Sequence, residues 1–240
     1  MRDLQSDAGI SNLCTRHLLA CKTNFLNRLK IVIISYDRPE MLKQLTNDLT
    51  GYDYHIIDDG SDFDLSYFDS NRITRQPHMG KKMFWVTFRK AINKLLKSKH
   101  DDFLLIPDDV MIYSIDRVIE LHKRFKDKIY MVSPINDGRN CCWSLPDFKA
   151  EEHDDLIHTG FFDCTTITNR KTLSKLKPFY VPETWFDREG KSSGVGYNVT
   201  LQMNKMKVPM YKVKKSIVIH GDHESKMHQN ERIKNKLISK

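Results

Sequence analysis

The sequence lacks a long hydrophobic run. No apolar stretch in its 240 residues approaches the roughly 18 residues that a membrane-spanning helix needs. The N-terminal segment MRDLQSDAGISNLC also lacks the apolar centre of a secretory signal peptide. Together these absences predict a cytoplasmic protein without a transmembrane segment.

Several familiar motifs are missing as well. No G-x-x-x-x-G-K-[ST] loop is present, which excludes a P-loop NTPase. No G-x-G-x-x-G follows the first predicted strand, where SYDRPE stands instead, so a dinucleotide-binding fingerprint is absent. The absence of G-x-S-x-G disfavours an α/β-hydrolase. The five cysteines include no C-x-x-C pair, which argues against a structural zinc site or a disulfide framework.

Positive charge, by contrast, is plentiful. The formal net charge is +8, which favours polyanionic partners such as nucleotides, nucleic acids and anionic membrane surfaces. Hydrophobic residues at 40% and charged residues at 29% are typical of an ordinary globular protein. The length is enough to bury a full core.

The first half of the chain alternates apolar strands with amphipathic helices. Strands are predicted over Lys30–Ser35, Tyr54–Ile57, the FLLIP of FLLIPDDV and Ile129–Ser133. Helices are predicted after Asp37-Arg38-Pro39, where the aspartate would cap, over Met83–Lys97, and after a capping Ser114. This alternation predicts an α/β fold of Rossmann type, with a mainly parallel central sheet and flanking helices in a single domain.

The second half is less regular. Asn136–Gly160 is predicted to be a long acceptor-side loop, and Phe161–Thr168 a strand. Helices are predicted over Asn169–Leu176 and after Ser192-Ser193-Gly194. Met210–Val213 and Ser216–Ile219 are predicted to be further strands, the second of which ends at His220.

Carboxylates follow two of the predicted strands. Asp58-Asp59 and Asp108-Asp109 come after buried strands, and His220 follows another. Ligands of open α/β sheets bind at the carboxyl ends of the strands, so we expect these residues to share a site. A carboxylate and an imidazole suit a divalent cation whose other ligands are phosphate oxygens and water. The sequence therefore predicts a Mg²⁺ or Mn²⁺ site at Asp109 and His220.

Other interpretations of these residues stay open at this point. Each acidic pair could be an ordinary turn at a strand end. His220, His223 and His228 could instead form a zinc cluster, although no cysteine or H-E-x-x-H arrangement accompanies them. His223 and His228 are also typical of surface histidines.

Taken together, four motifs resemble those of GT-A nucleotide-sugar glycosyltransferases. They are SYDRPEML after the first strand, IIDDGS after the second, a Gly-Lys loop into a helix, and IPDDV. The resemblance covers Lys30 to Val110, and His220 to Arg232 by a separate motif. It implies a GT-A domain at 30–240, with a nucleotide-binding half (30–135) and an acceptor-binding half (136–240). The preceding residues 1–29 are predicted to be a helical leader, because apolar residues such as Leu13, Leu18 and Phe25 recur at rough helical spacing.

The resemblance also implies roles for individual residues. Asp109, the last residue of a DxD-like motif, and His220 would bind the metal, and Asp58 or Asp59 would hydrogen-bond the base, usually uracil. The donor nucleotide sugar, a UDP-sugar by this resemblance, would further contact Ser35, Tyr36, Arg38, Lys81, Asp108, Ser225, Lys226 and Arg232.

The sequence departs from the family at the catalytic base. Many inverting members place Glu-Asp at the start of the helix that faces the acceptor, whereas this chain has Ser192-Ser193-Gly194 there. Asp163, Glu183 and Asp187 are the candidate bases. A retaining mechanism without a dedicated base is the alternative.

The acceptor is predicted from charge and aromatic content. The chain also resembles small phage-encoded glycosyltransferases, some of which decorate hydroxylated pyrimidines in DNA. Aromatic side chains such as Trp143 and Trp185 could stack on an extruded base, although core packing explains such residues too. We therefore expect 5-hydroxymethylcytosine or a related base in DNA to be the acceptor, and no obligate protein partner. The alternative acceptors are a surface glycan or a lipid-linked saccharide. The alternative functions for the whole protein are a nucleotidyltransferase and a plain nucleic-acid-binding module.

Overall fold

The computed structural model describes residues 28–80, 83–136, 148–177 and 194–220. Eleven strands are assigned in these ranges: β1 (Leu29–Ser35), β2 (Asp53–Asp58), β3 (Ile73–Arg75), β4 (Asp102–Pro107), β5 (Val110–Ile112), β6 (Met131–Ser133), β7 (Glu151–His153), β8 (Leu156–His158), β9 (Thr166–Asn169), β10 (Met210–Val213) and β11 (Val218–His220). The α-helices are α1 (Pro39–Asp48), α2 (Phe84–Lys97), α3 (Ile115–Arg124), α4 (Arg170–Leu173) and α5 (Val195–Lys205), and a 3₁₀ turn spans Ser70–Arg72.

Nine of these strands form one twisted sheet in the order β3-β2-β1-β4-β9-β6-β10-β8-β7. The strands β3, β2, β1 and β4 run parallel to one another. Every residue of β1 is buried, as expected for a central strand that is covered on both faces. The predicted α/β class with a Rossmann-like sheet is thus confirmed.

Helices cover both faces of the sheet, so the fold has three layers. On one face, α1 and α3 pack through residues such as Leu45 and Leu121 against Ile31, Ile33 and Leu104. On the other face, α2 and α5 pack against the alternate residues of the same strands; this cluster includes Phe88, Val199, Val32, Phe103 and Leu105. The alternation within β1 and β4 therefore divides the core into two clusters, one on each face of the sheet.

Three expectations about the second half were wrong. The strand predicted over Phe161–Thr168 is confined to β9, and it runs antiparallel between β4 and β6. The stretch predicted as a long loop from Asn136 contains the hairpin β7–β8, which extends the sheet beyond β10. Strands of three residues are too short to show periodicity, which is why the sequence did not reveal them.

The third error concerns β11. It does not join the main sheet: it pairs antiparallel with β5, His220 opposite Val110, as a two-stranded ribbon. His220 therefore reaches the carboxyl edge through this ribbon and not from the end of a parallel strand.

Helix starts were predicted with mixed success. Ser114 does cap α3, since its hydroxyl oxygen accepts a hydrogen bond from the Arg117 amide at 3.3 Å. Asp37 does not cap α1: Arg38 is the N-cap residue and makes no side-chain cap. Asp37 instead has a φ of 52°, and its amide donates to the Ser61 hydroxyl at 2.8 Å. Aspartate tolerates this left-handed backbone better than most residues do.

The helices of the described ranges include none whose length and hydropathy would let it span a bilayer.

A buried histidine makes stability depend on pH. His122 of α3 is 2% exposed and its Nδ1 lies 2.6 Å from the Tyr130 hydroxyl. Burial lowers the pKa of His122 to about 3, although Asp102 lies 3.7 Å from the same nitrogen. The unfolded chain therefore binds this proton more readily than the folded one. We expect the free energy of unfolding to be unaffected by His122 above about pH 6.5 and to fall below it, by on the order of 1 kcal/mol per pH unit.

Urea unfolding at pH 7 and at pH 5 measures this slope. In His122→Gln, the slope of the unfolding free energy against pH should be shallower by about the contribution of one bound proton. His153→Gln, at a half-exposed position, is the matched control. Equal slopes in the wild-type protein and His122→Gln would contradict the assignment.

Candidate functional site

The carboxyl ends of three adjacent strands define the candidate site. Ser35 at the end of β1 is in register with Asp58 at the end of β2, and Ile34 is in register with Pro107 at the end of β4. The Asp59 amide then donates to the Ser35 carbonyl and the Asp108 amide to the Ile34 carbonyl, both at 2.9 Å. Both aspartate pairs thus leave the sheet at the same edge, side by side.

Asp108 is held by three groups at the end of β1 and directly after it. Its Oδ2 accepts hydrogen bonds from the Ser35 hydroxyl and the Tyr36 amide, both at 2.9 Å. Its Oδ1 accepts from Nη1 of Arg38 at 2.8 Å. Asp108 is 1% exposed, and burial raises its pKa to about 6, an effect that Arg38 opposes and Asp109 reinforces. The SYDR segment therefore fixes Asp108 in one orientation.

Asp109 faces the ribbon. Its Oδ1 lies 3.3 Å from Nδ1 of His220, and its Oδ2 lies 3.7 Å from Nη2 of Arg38. The carboxylate is almost fully buried, whereas the His220 side chain is 36% exposed. Because β11 pairs with β5 directly after Asp109, the ribbon brings together two residues that are 111 positions apart.

Asp109 and His220 fit a divalent cation as far as their chemistry goes. An anionic oxygen and an imidazole nitrogen in contact are suitable ligands for Mn²⁺ or a related ion. Within the described residues, no group of three or more His, Cys, Asp or Glu side chains could hold a metal alone. A cation bound here would thus take its remaining ligands from a substrate or water, as Mg²⁺ commonly does at phosphates.

The role of His220 can be tested by removing its imidazole. His220→Ala is expected to weaken Mn²⁺ binding by at least about tenfold, since even indirect metal-site contacts are worth that much, and to weaken nucleotide-diphosphate binding with it. Calorimetric titration of Mn²⁺, with and without UDP, measures both effects. His153→Ala on the exposed strand β7 is the matched control. If both variants bind like the wild-type protein, His220 is not a ligand.

Asp58 and Asp59 are fully buried and bind protein groups. Asp58 accepts from the Ser61 amide at 3.3 Å and from the Ser61 hydroxyl, and Nε of Arg75 lies 3.5 Å away. Asp59 accepts from the Thr87 hydroxyl at 2.7 Å and from Nε2 of Gln76. A direct hydrogen bond from the N–H of a nucleotide base to either carboxylate, as the resemblance implies, would require one of these contacts to open.

Asp59 also organises the loop that follows β3. It accepts from the Met79 and Gly80 amides at 3.3 Å, and its Oδ2 lies 3.2 Å from Nδ1 of His78. The His78 ring stacks on Tyr36, with centroids 4.0 Å apart and an angle of 16° between the planes. The loop thus presents a flat aromatic surface beside the two aspartate pairs.

The close approach of two loops requires a glycine at position 60. Gly60 has a φ of +79°, and a Cβ there would lie 2.4 Å from the His78 amide nitrogen. Any side chain would therefore push the His78 loop away from the strand ends. The glycine of the IIDDGS motif is explained by this contact.

A surface cavity of about 480 Å³ adjoins this region. It is lined by Leu65, Ser66, Phe68, Ser70, Ile73 and Arg75. Arg75 belongs to both the cavity and the Asp58 contact, so it links the cavity to the strand-end cluster.

Other predicted site residues are placed less fully. Asp163 precedes β9, whose Thr166 is in register with Leu105, so it lies towards the same edge of the sheet as Asp108. Its Oδ1 accepts a hydrogen bond from the Thr165 amide at 3.2 Å. The predicted residues that lie outside the described ranges are Lys81, Trp143, Glu183, Trp185, Asp187, His223, Ser225, Lys226, His228 and Arg232.

Sequence reasoning assigned no role to several residues of the site. Ser61, Gln76 and Thr87 complete the contacts of the buried aspartates, and His78 supplies the stacked ring. Ser61 sits in the IIDDGS motif, which was a usable signal. Gln76 and Thr87 carry no such signal, because their side chains matter only through the packing of α2 and the preceding loop.

Comparisons with known proteins support the architecture. No family model and no curated protein sequence matches the chain. Among solved structures, residues 1–349 of S. aureus TarS match with a TM-score of 0.50 and 12% identity, over 81% of this chain and 60% of that one. The same fragment in complex with UDP matches with a TM-score of 0.47 and 12% identity, over 80% and 59%. A197 from STIV matches with a TM-score of 0.45 and 16% identity, over 85% of this chain and 100% of that one.

This chain therefore spans about three fifths of the TarS fragment that it matches. At such low identity the likeness concerns the fold. The chain has a single-domain α/β architecture with a central sheet between helices, and it shares this fold with the TarS fragment.

Proposed function

We propose that the chain is a glycosyltransferase that transfers a sugar from a nucleoside-diphosphate sugar, with the help of a divalent metal ion. The observation that carries the proposal is the contact of Asp109 with His220, next to an Asp108 fixed by Ser35, Tyr36 and Arg38. This cluster lies at the carboxyl edge of the parallel strands, where open α/β sheets bind their ligands.

Each part of the site has a task in this reaction. Asp109 and His220 would hold the metal, and a metal bound there supplies Lewis-acid stabilisation to the leaving diphosphate. Asp108, with both oxygens already directed by hydrogen bonds, would orient the donor ribose or sugar. The acceptor hydroxyl oxygen bonds to the sugar C1 as the bond from C1 to the phosphate oxygen breaks, and the acceptor proton passes to a base, for which Asp163 is the described candidate.

The base of the donor nucleotide would bind at the surface formed by the rings of Tyr36 and His78. Two stacked rings beside the strand ends offer a face for a flat base. Asp58 and Asp59 would set base preference mainly through the groups that they hold, among them Arg75 and His78. Uracil is the base that the sequence motifs favour.

A nucleotide panel tests the donor class. We expect UDP with Mn²⁺ to raise the melting temperature of the protein more than GDP or ADP does, and we expect the rise to shrink in EDTA. Thermal unfolding with each nucleotide at one fixed concentration makes the comparison. Equal stabilisation by UDP, GDP and ADP would contradict the proposed base preference.

For the acceptor we propose a hydroxymethylated pyrimidine in DNA. The net charge of +8 suits a phosphate backbone, and such binding weakens steeply with salt. A base must also leave the duplex before its hydroxymethyl group can reach a sugar donor.

The acceptor test uses DNA with and without 5-hydroxymethylcytosine. Protein, Mn²⁺ and a panel of UDP- and GDP-sugars are incubated with each DNA, which is then digested to nucleosides for mass spectrometry. A hexose or pentose adduct found only on the hydroxymethylated DNA is the expected result. Transfer to a saccharide acceptor without transfer to DNA would replace the DNA acceptor by a surface glycan.

A further inference from the structure

Arg38 occupies an unusual position between the two aspartates of the site. It is the residue just before α1, and its side chain is only 9% exposed. Nη1 lies 2.8 Å from Oδ1 of Asp108, and Nη2 lies 3.7 Å from Oδ2 of Asp109. One buried guanidinium therefore spans both carboxylates, which arginine can do because its planar fork presents several donors at once.

The contacts of the carboxylate oxygens show what a metal ion would meet. Both oxygens of Asp108 accept hydrogen bonds, from Ser35 and Tyr36 on one side and Arg38 on the other. Asp109 directs Oδ1 to His220 and Oδ2 to Arg38. Asp108, Asp109 and Arg38 together carry one net negative charge, so a divalent cation is attracted weakly and is repelled by the guanidinium.

The hydrogen bonding of Arg38 is incomplete. Its Nε is buried and has no hydrogen-bond partner among the described residues. A buried donor without an acceptor is unfavourable, and the group that fits next to a guanidinium is an anionic oxygen. A diphosphate supplies such oxygens, and it brings the negative charge that the site lacks for a divalent cation.

We propose that Arg38 is a tethered cation of this site. Its guanidinium neutralises the Asp108–Asp109 pair while the donor is absent, so that tight metal binding depends on the donor diphosphate. The inference rests on the proposed function, because it takes the diphosphate as the ligand.

The experiment measures Mn²⁺ affinity by calorimetry, with and without UDP, in four proteins. In the wild-type protein UDP should tighten Mn²⁺ binding by at least about tenfold, within the usual range for coupled ligands. In Arg38→Gln, Mn²⁺ alone should bind more tightly than it does to the wild-type protein, and the coupling should shrink by about fivefold or more. Arg72→Gln, which removes a positive charge at a half-exposed position on the 3₁₀ turn, should behave like the wild-type protein.

Arg38→Lys is the fourth protein and decides the result if Arg38→Gln fails to unfold cooperatively. Lysine keeps the charge but cannot bridge both carboxylates, so Mn²⁺ alone should bind more tightly than it does to the wild-type protein. An affinity equal to that of the wild-type protein would count against the inference.

The two proposals fail in distinguishable ways. If UDP does not tighten Mn²⁺ binding in the wild-type protein, the donor class is wrong and the inference falls with it. If UDP tightens Mn²⁺ binding equally in the wild-type protein and Arg38→Gln, the donor class stands and Arg38 is only a structural ion pair.

Discussion

Replacing Asp109 by asparagine is expected to lower the rate at which the donor is cleaved to UDP by at least about 100-fold. This is the scale of losing one preorganised group that stabilises charge in the transition state. The asparagine keeps the volume of the side chain and removes the charge that would bind the metal next to His220. Asp109 is almost fully buried and lies beside the ribbon, in contact with His220.

The rate is measured with the sugar donor that gives the largest thermal stabilisation, with Mn²⁺ titrated to saturation. Asp127→Asn is the matched control: Asp127 is exposed and has a φ of 65°, a backbone that asparagine also adopts. Full activity of Asp109→Asn, or of the wild-type protein in EDTA, would remove the metal from the proposed mechanism.

The largest loss of stability is expected for Asp59→Asn. The fully buried carboxylate of Asp59 accepts buried hydrogen bonds from Gln76 and Thr87 and partly buried ones from the Met79 and Gly80 amides that precede α2. An amide offers one acceptor oxygen, and its NH₂ group would face N–H donors. Leaving several buried donors unpaired should lower the free energy of unfolding by about 3 kcal/mol.

Urea unfolding at pH 7 measures this loss, and Asp62→Asn in the same loop, where the side chain is exposed, is the control. Because His78 and Tyr36 are held by the same network, the variant should also lose most of its stabilisation by UDP. A loss below about 1 kcal/mol would mean that the donors around Asp59 find other acceptors.

The first half of the described sheet could be predicted from the sequence because its strands are apolar runs buried on both faces. A continuous apolar run such as Phe103–Ile106 indicates a buried strand directly, and Pro107 marks where that strand ends. Paired aspartates after two such strands then had to meet at one edge once the strands were parallel. The contact of Asp109 with His220 agrees with this reasoning, although the partner arrives by a different route.

The rest depended on pairing that a linear pattern does not encode. The strands of the β7–β8 hairpin and of the β11–β5 ribbon, and the antiparallel β9, are three or four residues long each. Their pairing partners are therefore decided by the assembled sheet. The network around Asp59 is likewise a product of packing, since Gln76 and Thr87 come from a loop and a helix that meet only in the fold. Local sequence is informative where burial is continuous and uninformative where long-range contacts decide.

The ribbon has a consequence for the order in which the protein becomes competent during its synthesis. The last strand of the nine-stranded sheet ends at Val213, whereas His220 enters only with β11. A nascent chain that has left the ribosome as far as Val213 can complete its sheet and still lacks one of the two side chains proposed to hold the metal. The contact of Asp109 with His220 closes a loop of 111 residues. Because closing such a loop costs chain entropy, we expect this contact to form late. The proposed activity therefore begins only when nearly the whole described chain has been made.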